Sequence, residues 1–151
     1  SGKSLNDTKL LQLIKEKLIE TGINSVNVVF EITETSVIED IVDAERFIMS
    51  LKHLGCRFAL DDFGIGFSSF NYLKRLSVDY LKIDGSFIQN LPGNATDRHL
   101  VKAMVEVAHG LGKKTIAEFV TSAETVRLLR EIGVDYAQGY FIGKPKPLDE
   151  L

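Results

Sequence analysis

Apolar residues along this chain follow two spacings, and each predicts its own kind of element. In DTKLLQLIKEKLIET, residues 7–21, Leu10, Leu11, Ile14 and Leu18 fall on one helical stripe, and Gly22 follows as a left-handed stop. VNVVFEITE, residues 26–34, alternates at period two and reads as a strand. IEDIVDAERFIMSLKHLG predicts a helix ending at Gly55, RFALDD a strand, and SSFNYLKRL a short helix after a glycine loop. DYLKID is the next strand, and ATDRHLVKAMVEVAHGLG is a helix stopped at Gly112. KTIAEF is a strand, AETVRLLREIG a helix stopped at Gly133, and DYAQGYFIG the last strand. Thr121 with Glu124 three residues on has the spacing of a capping box for the last helix.

Strands alternating with helices predict parallel βαβ units. Five strands are expected, near residues 26, 57, 79, 114 and 136. Glu31, Asp61, Lys82, Glu118 and Gln138 each sit toward the C-terminal end of a different one. Alternation puts Glu31 and Val29 on one face, opposite Val28, Phe30 and Ile32, and it sets Lys82 and Asp84 opposite Leu81 and Ile83. Polar groups delivered by several strand ends to one place are the layout of a barrel with its site at the C-terminal mouth. A complete barrel takes eight strands and about 250 residues. The expected fold is therefore α/β, a partial (β/α)8 TIM-type barrel with about five βα units, lacking its N-terminal part.

Composition narrows the class. The 151 residues carry 18 basic and 21 acidic side chains, with no basic block, which argues against a nucleic acid polymer as partner. Apolar runs are too short to span a bilayer, and the expected location is cytoplasmic, with a membrane anchor left open for the parent protein. Ser1-Gly2 reads as an expression scar. The lone cysteine, Cys56, reads as a small buried thiol, and His53, His99 and His109 show no metal-ligand spacing.

The chemistry concentrates at RFALDDFGIGFSS, residues 57–69. Adjacent Asp61 and Asp62 would repel each other without a counter-charge. Carboxylates lacking His or Cys companions suit Mg2+ or Mn2+ rather than Zn2+. Two such ions bridged by the aspartates would suit phosphodiester hydrolysis, activating water and offsetting charge on the leaving oxygen. Gly64 and Gly66 would let the following loop close over the site, or serve simply as a strand-to-helix turn.

FEITET, ALDDFGIGFSS, VDYLKIDGSFI, TIAEFVTSAE and GVDYAQGYFIGKP occur in order, and together they resemble the motifs of EAL-domain cyclic di-GMP phosphodiesterases. The resemblance covers nearly the whole chain. It implies that residues 1–151 are the C-terminal part of such a domain, hydrolysing cyclic di-GMP to pGpG in the intact parent with Mg2+ or Mn2+, two ions in all. Carried over by motif, Glu31 and Asp61 would hold the first metal, and Asp61, Asp62 and Glu118 the second. Glu118 would also be the general base, Lys82 would hold the attacking water, Gln138 would contribute substrate-side hydrogen bonds, and Glu34 would anchor the loop of Gly64 and Gly66. The family's Glu-Ala-Leu tripeptide and the metal-binding Asn of its next strand do not occur here. Ile65 stands where the family has Thr or Ser, Phe67 for Tyr, Phe119 for Gly, and Thr121 for Glu. The alternative is a degenerate domain that binds cyclic di-GMP or a protein without hydrolysis. The parent is expected to carry upstream GGDEF or sensor domains. This chain alone is expected to be inactive and, with open sheet edges at NVVFEI and YAQGYF, a homo-oligomer.

Overall fold

The computed structural model describes residues 5, 7–65 and 71–147. It is an α/β protein whose five strands follow one another in the sheet as β1-β2-β3-β4-β5. The strands are β1 (Val29–Thr33), β2 (Arg57–Phe63), β3 (Tyr80–Ile83), β4 (Lys114–Ala117) and β5 (Tyr136–Ala137). The helices are α1 (Thr8–Thr21), α2 (Glu34–Glu39), α3 (Ile41–Lys52), α4 (Asn71–Arg75), α5 (Gly85–Ile88), α6 (Ala95–Gly110) and α7 (Ala123–Ile132). Two compact units divide between Leu81 and Lys82, inside β3. Among the described residues no helix is long and apolar enough to cross a membrane.

In the first unit β1 and β2 run parallel, with Glu31 opposite Ala59 and Thr33 opposite Asp61. Register partners share a face, so Val29, Glu31, Ala59 and Asp61 lie on one side and Phe30, Ile32, Phe58 and Leu60 on the other. The second side meets α3: the Phe58 ring stands 5.6 Å from Phe30 and edge-on to Phe47 at 6.3 Å. Ala44, Ile48 and Leu51 form the fully buried stripe of α3. Burying each of the larger of these side chains contributes on the order of 2 kcal/mol. Cys56 is buried beside this core, and burial pushes its thiol above the usual range.

Two expectations need correction here. The first strand does not run from residue 26 to 34: residues Ser25–Asn27 form a turn of 3-10 helix, and Glu34 already begins α2. Thr33 ends the strand because its hydroxyl accepts the Ser36 N–H and so starts a helix. Nor is 38–55 one helix. Asp40 leaves helical geometry at φ −151°, and its carboxylate caps α3 by accepting the Asp43 N–H at 3.0 Å. A strong N-cap inside an apolar-periodic stretch splits it in two.

In the second unit Ile83, Ile88, Leu91, Val101, Val105, Ala117, Val120 and Leu129 pack into one cluster between the strands and helices. Asn94 caps α6 by accepting from Thr96 and Asp97. The N-cap of α7 is Ser122, not Thr121: its hydroxyl accepts the Thr125 N–H at 3.1 Å. With the helix beginning at Ala123, Thr125 occupies the third helical position and Glu124 is one residue too early for a capping box. The last strand is also far shorter than 135–143. Gly139 passes so close to the Val120 backbone that a Cβ there would lie 2.3 Å from its nitrogen, and the Ile142 N–H turns back to Gly139 O. That turn ends the strand.

Candidate active site

The acids of the first unit lie on its two strands, Glu31 in the middle of β1 and the two aspartates near the C-terminal end of β2. Glu31 is exposed on β1, and Asp61 and Asp62 are half-buried on β2. Consecutive strand residues normally point to opposite faces. Asp62 breaks that rule by adopting a left-handed φ of +58°, a conformation that Asp tolerates better than most residues. One carboxylate oxygen of Asp61 and one of Asp62 consequently lie within 4.8 Å of each other. Immediately after, Gly64 takes φ +104°, and its N–H donates to Glu34 Oε2 at 3.2 Å. Glu34 is buried, and its other oxygen accepts from Tyr72 Oη at 2.5 Å. Gly66 and Phe67 lie outside the described residues. Tyr72 escaped the sequence reading, because nothing in FNYLKR marks a tyrosine as the partner of a glutamate almost forty positions earlier.

In the second unit Lys82 and Glu118 form a buried ion pair, Nζ to Oε1 at 2.8 Å. Glu118 follows the last residue of β4, and its N–H donates to Ile83 O, which sets it beside the end of β3. Gln138 follows β5 in the same way, donating to Ala117 O at 2.8 Å and accepting from Val120 N–H at 3.0 Å. Glu118, Phe119, Thr121, Gln138, Gly139 and Tyr140 line a cleft of about 360 Å³. Phe119 is an outlier of a kind rare for a bulky residue, at φ +53°. Its ring lies over Gly85, where an added Cβ would meet Phe119 Cδ2 at 2.4 Å. Only a glycine at position 85 leaves room for it.

The structure therefore brings together Asp61 with Asp62, Glu34 with Gly64, Lys82 with Glu118, and Glu118 with Gln138 in the lining of one cleft.

The sequence profile of the EAL domain matches residues 1–145. The chain belongs to the EAL domain family. It is 45% identical over 148 residues to the cyclic di-GMP phosphodiesterase PdeB of Shewanella oneidensis, covering 98% of this chain and 17% of that protein. It is 37% identical over 135 residues to the cyclic di-GMP phosphodiesterase PdeF of Escherichia coli K12, covering 89% and 19%. Among solved structures, the PaMucR phosphodiesterase in complex with c-di-GMP superposes with a TM-score of 0.93 at 29% identity, over 99% of this chain and 61% of that one. The FimX EAL domain of Pseudomonas aeruginosa bound to c-di-GMP gives 0.90 at 32% identity, over 97% and 60%. This EAL segment thus spans less than a fifth of the two curated relatives' length.

Proposed function

We propose that this EAL segment is the C-terminal part of a phosphodiesterase domain that hydrolyses cyclic di-GMP to pGpG. The buried pairing of Lys82 with Glu118 at 2.8 Å carries the reading. An ammonium held against a carboxylate at the rim of a cleft is an arrangement for handling a water molecule and its proton. The naming of relatives such as PdeB as cyclic di-GMP phosphodiesterases supports the same reaction.

The donor set fits hard divalent ions. In the first unit Asp61 and Asp62 are half-buried carboxylates with oxygens within 4.8 Å of each other, and Glu31 is an exposed one; in the second unit Glu118 is half-buried. Such oxygens suit Mg2+ or Mn2+, and two ions would offset the charge of the aspartate pair. When bound, the ions would make a water more acidic and offset charge on the phosphate oxygens. Glu118 takes the proton of the attacking water, and Lys82 orients that water. The water oxygen forms the new bond to phosphorus, the P–O3′ bond breaks, and the released 3′-oxygen is protonated. Gln138 donates or accepts at the substrate side, and Glu34 holds the Gly64 loop in place.

The test uses the full-length protein that carries this sequence. Glu118→Gln should lower pGpG release at saturating Mg2+ by about a hundredfold or more while the fold and cyclic di-GMP binding persist. The 151-residue chain alone, with no Glu-Ala-Leu tripeptide, should release none. Unchanged turnover in Glu118→Gln would sink the enzyme assignment. A non-hydrolysing receptor is the second reading, favoured by Phe119, which stands next to Glu118 in a backbone conformation suited to the family's glycine. Cyclic di-GMP binding without hydrolysis in the full-length protein would establish it.

A further inference from the structure

One arrangement occurs twice, once in each unit, at the strand end away from the candidate chemistry. VDYLK at 78–82 and VDYAQ at 134–138 share Val-Asp-Tyr, and the residue three after each aspartate is a candidate site residue, Lys82 or Gln138. In the first unit Asp79 Oδ2 accepts the Phe58 N–H at 2.9 Å, and Oδ1 takes Lys52 Nζ at 2.6 Å. Tyr80 Oη accepts from Arg57 at 3.0 Å. In the second unit Asp135 Oδ2 accepts the Thr115 N–H at 2.8 Å and the Thr115 hydroxyl at 2.9 Å, and it stands 2.9 Å from His109 Nε2. Tyr136 Oη accepts from Lys114 Nζ at 3.2 Å. Lys52 and His109 both come from the last turn of the helix that precedes the paired strand. The same bonds therefore recur at matching positions, although neither neighbouring helix shares its sequence with the other.

We propose that Asp135 is a positioning residue for Gln138, fixing the register of β5 against β4 so that the amide enters the Glu118 cleft. The inference rests on the reading of Gln138 as a substrate-side group. A strand that slips by one residue turns every side chain to the other face. Regular pairing of β4 with β5 amounts to Ile116 opposite Tyr136 and Ala117 opposite Ala137, too little to resist a slip. Asp135 adds fixed bonds at one end of this short ladder, where its own N–H also donates to Thr115 Oγ1 at 3.2 Å. Gln138 and Val120 close the other end. The carboxyl of Asp135 suits such an anchor. Burial opposes its ionisation, but hydrogen bonds from His109 and Thr115 outweigh that and hold it below the ordinary carboxylate value.

The test is amide exchange and side-chain NMR on the 151-residue chain, comparing Asp135→Ala and Asp135→Asn with Val101→Ala, a cavity variant in the same unit's core. Asp135→Ala should raise exchange at the Gln138 and Val120 amides by about tenfold or more and displace the Gln138 side-chain amide resonances. Asp135→Asn, which keeps an oxygen for the Thr115 N–H, should recover most of the wild-type pattern. Val101→Ala should lower stability without moving the Gln138 resonances. If Asp135→Ala does not fold, Thr115→Val should show the same localised pattern at smaller size. Gln138 signals that stay put in Asp135→Ala, or move as far in Val101→Ala, would overturn the proposal. None of these readouts involves substrate. Should they come out as expected while Gln138→Ala in the full-length protein leaves turnover unchanged, the anchor stands and the role given to Gln138 falls.

Discussion

The two Val-Asp-Tyr anchors solve one problem with different chemistry. In the first unit the aspartate divides its two oxygens between a backbone N–H and the fixed positive charge of Lys52. In the second, one oxygen of Asp135 gathers the Thr115 N–H, the Thr115 hydroxyl and His109. The strands they serve explain the difference. The strand that follows the first anchor, β3, has four residues, whereas β5 has two. The longer strand holds more of its own register through its ladder, so the two bonds that Asp79 exchanges with the Phe58 backbone and one ion pair suffice. A short one depends on side-chain bonds gathered at its root.

The largest expected effect follows directly. Asp135→Ala should cost about 3 kcal/mol and Asp79→Ala about 2 kcal/mol, because loss of hydrogen bonds to a partly buried carboxylate strands more donors in the second unit. Urea denaturation of the two variants checks this, and the reverse order would break the comparison.

Acid provides a second, smaller separation. The folded-state value of Asp135 lies below its ordinary value of 3.8, so its contribution is complete above that pH and is lost as pH falls through the folded value. The stability gap between wild type and Asp135→Asn should therefore narrow as pH drops below about 4. A gap that stays constant or widens in acid would show that the ionised carboxylate is not what Thr115 and His109 hold.

The smallest effect concerns the tyrosines. Tyr80→Phe and Tyr136→Phe each remove one exposed hydrogen bond, to Arg57 and to Lys114. Each should cost about 0.5 kcal/mol or less in thermal denaturation. A loss at Tyr136 as large as that at Asp135 would relocate the anchor of β5 to the tyrosine.

Much of this EAL domain segment was legible in the sequence because its signals are local. Amphipathic spacing and left-handed glycines such as Gly22 and Gly133 place α1 and α7 within a residue or two of where they lie. Period-two alternation assigns Phe30 and Ile32 to a face apart from Glu31, because strand geometry leaves no other choice. The motifs that name the candidate acids, Lys82 and Gln138 are likewise contiguous. Tertiary structure decided what depends on partners distant in the chain. It also decided between neighbouring caps that pattern leaves open: Asp40 splits a stretch that reads as one helix, and Ser122 rather than Thr121 caps α7, each through a bond only three residues along that backbone geometry selects. The bond from Tyr72 to Glu34, the Phe119 ring over Gly85 and the pairing of Lys82 with Glu118 each join residues more than thirty positions apart. Pattern within a window specifies which faces are apolar; only the packed chain specifies which polar group meets which, since that requires the loops between them to close.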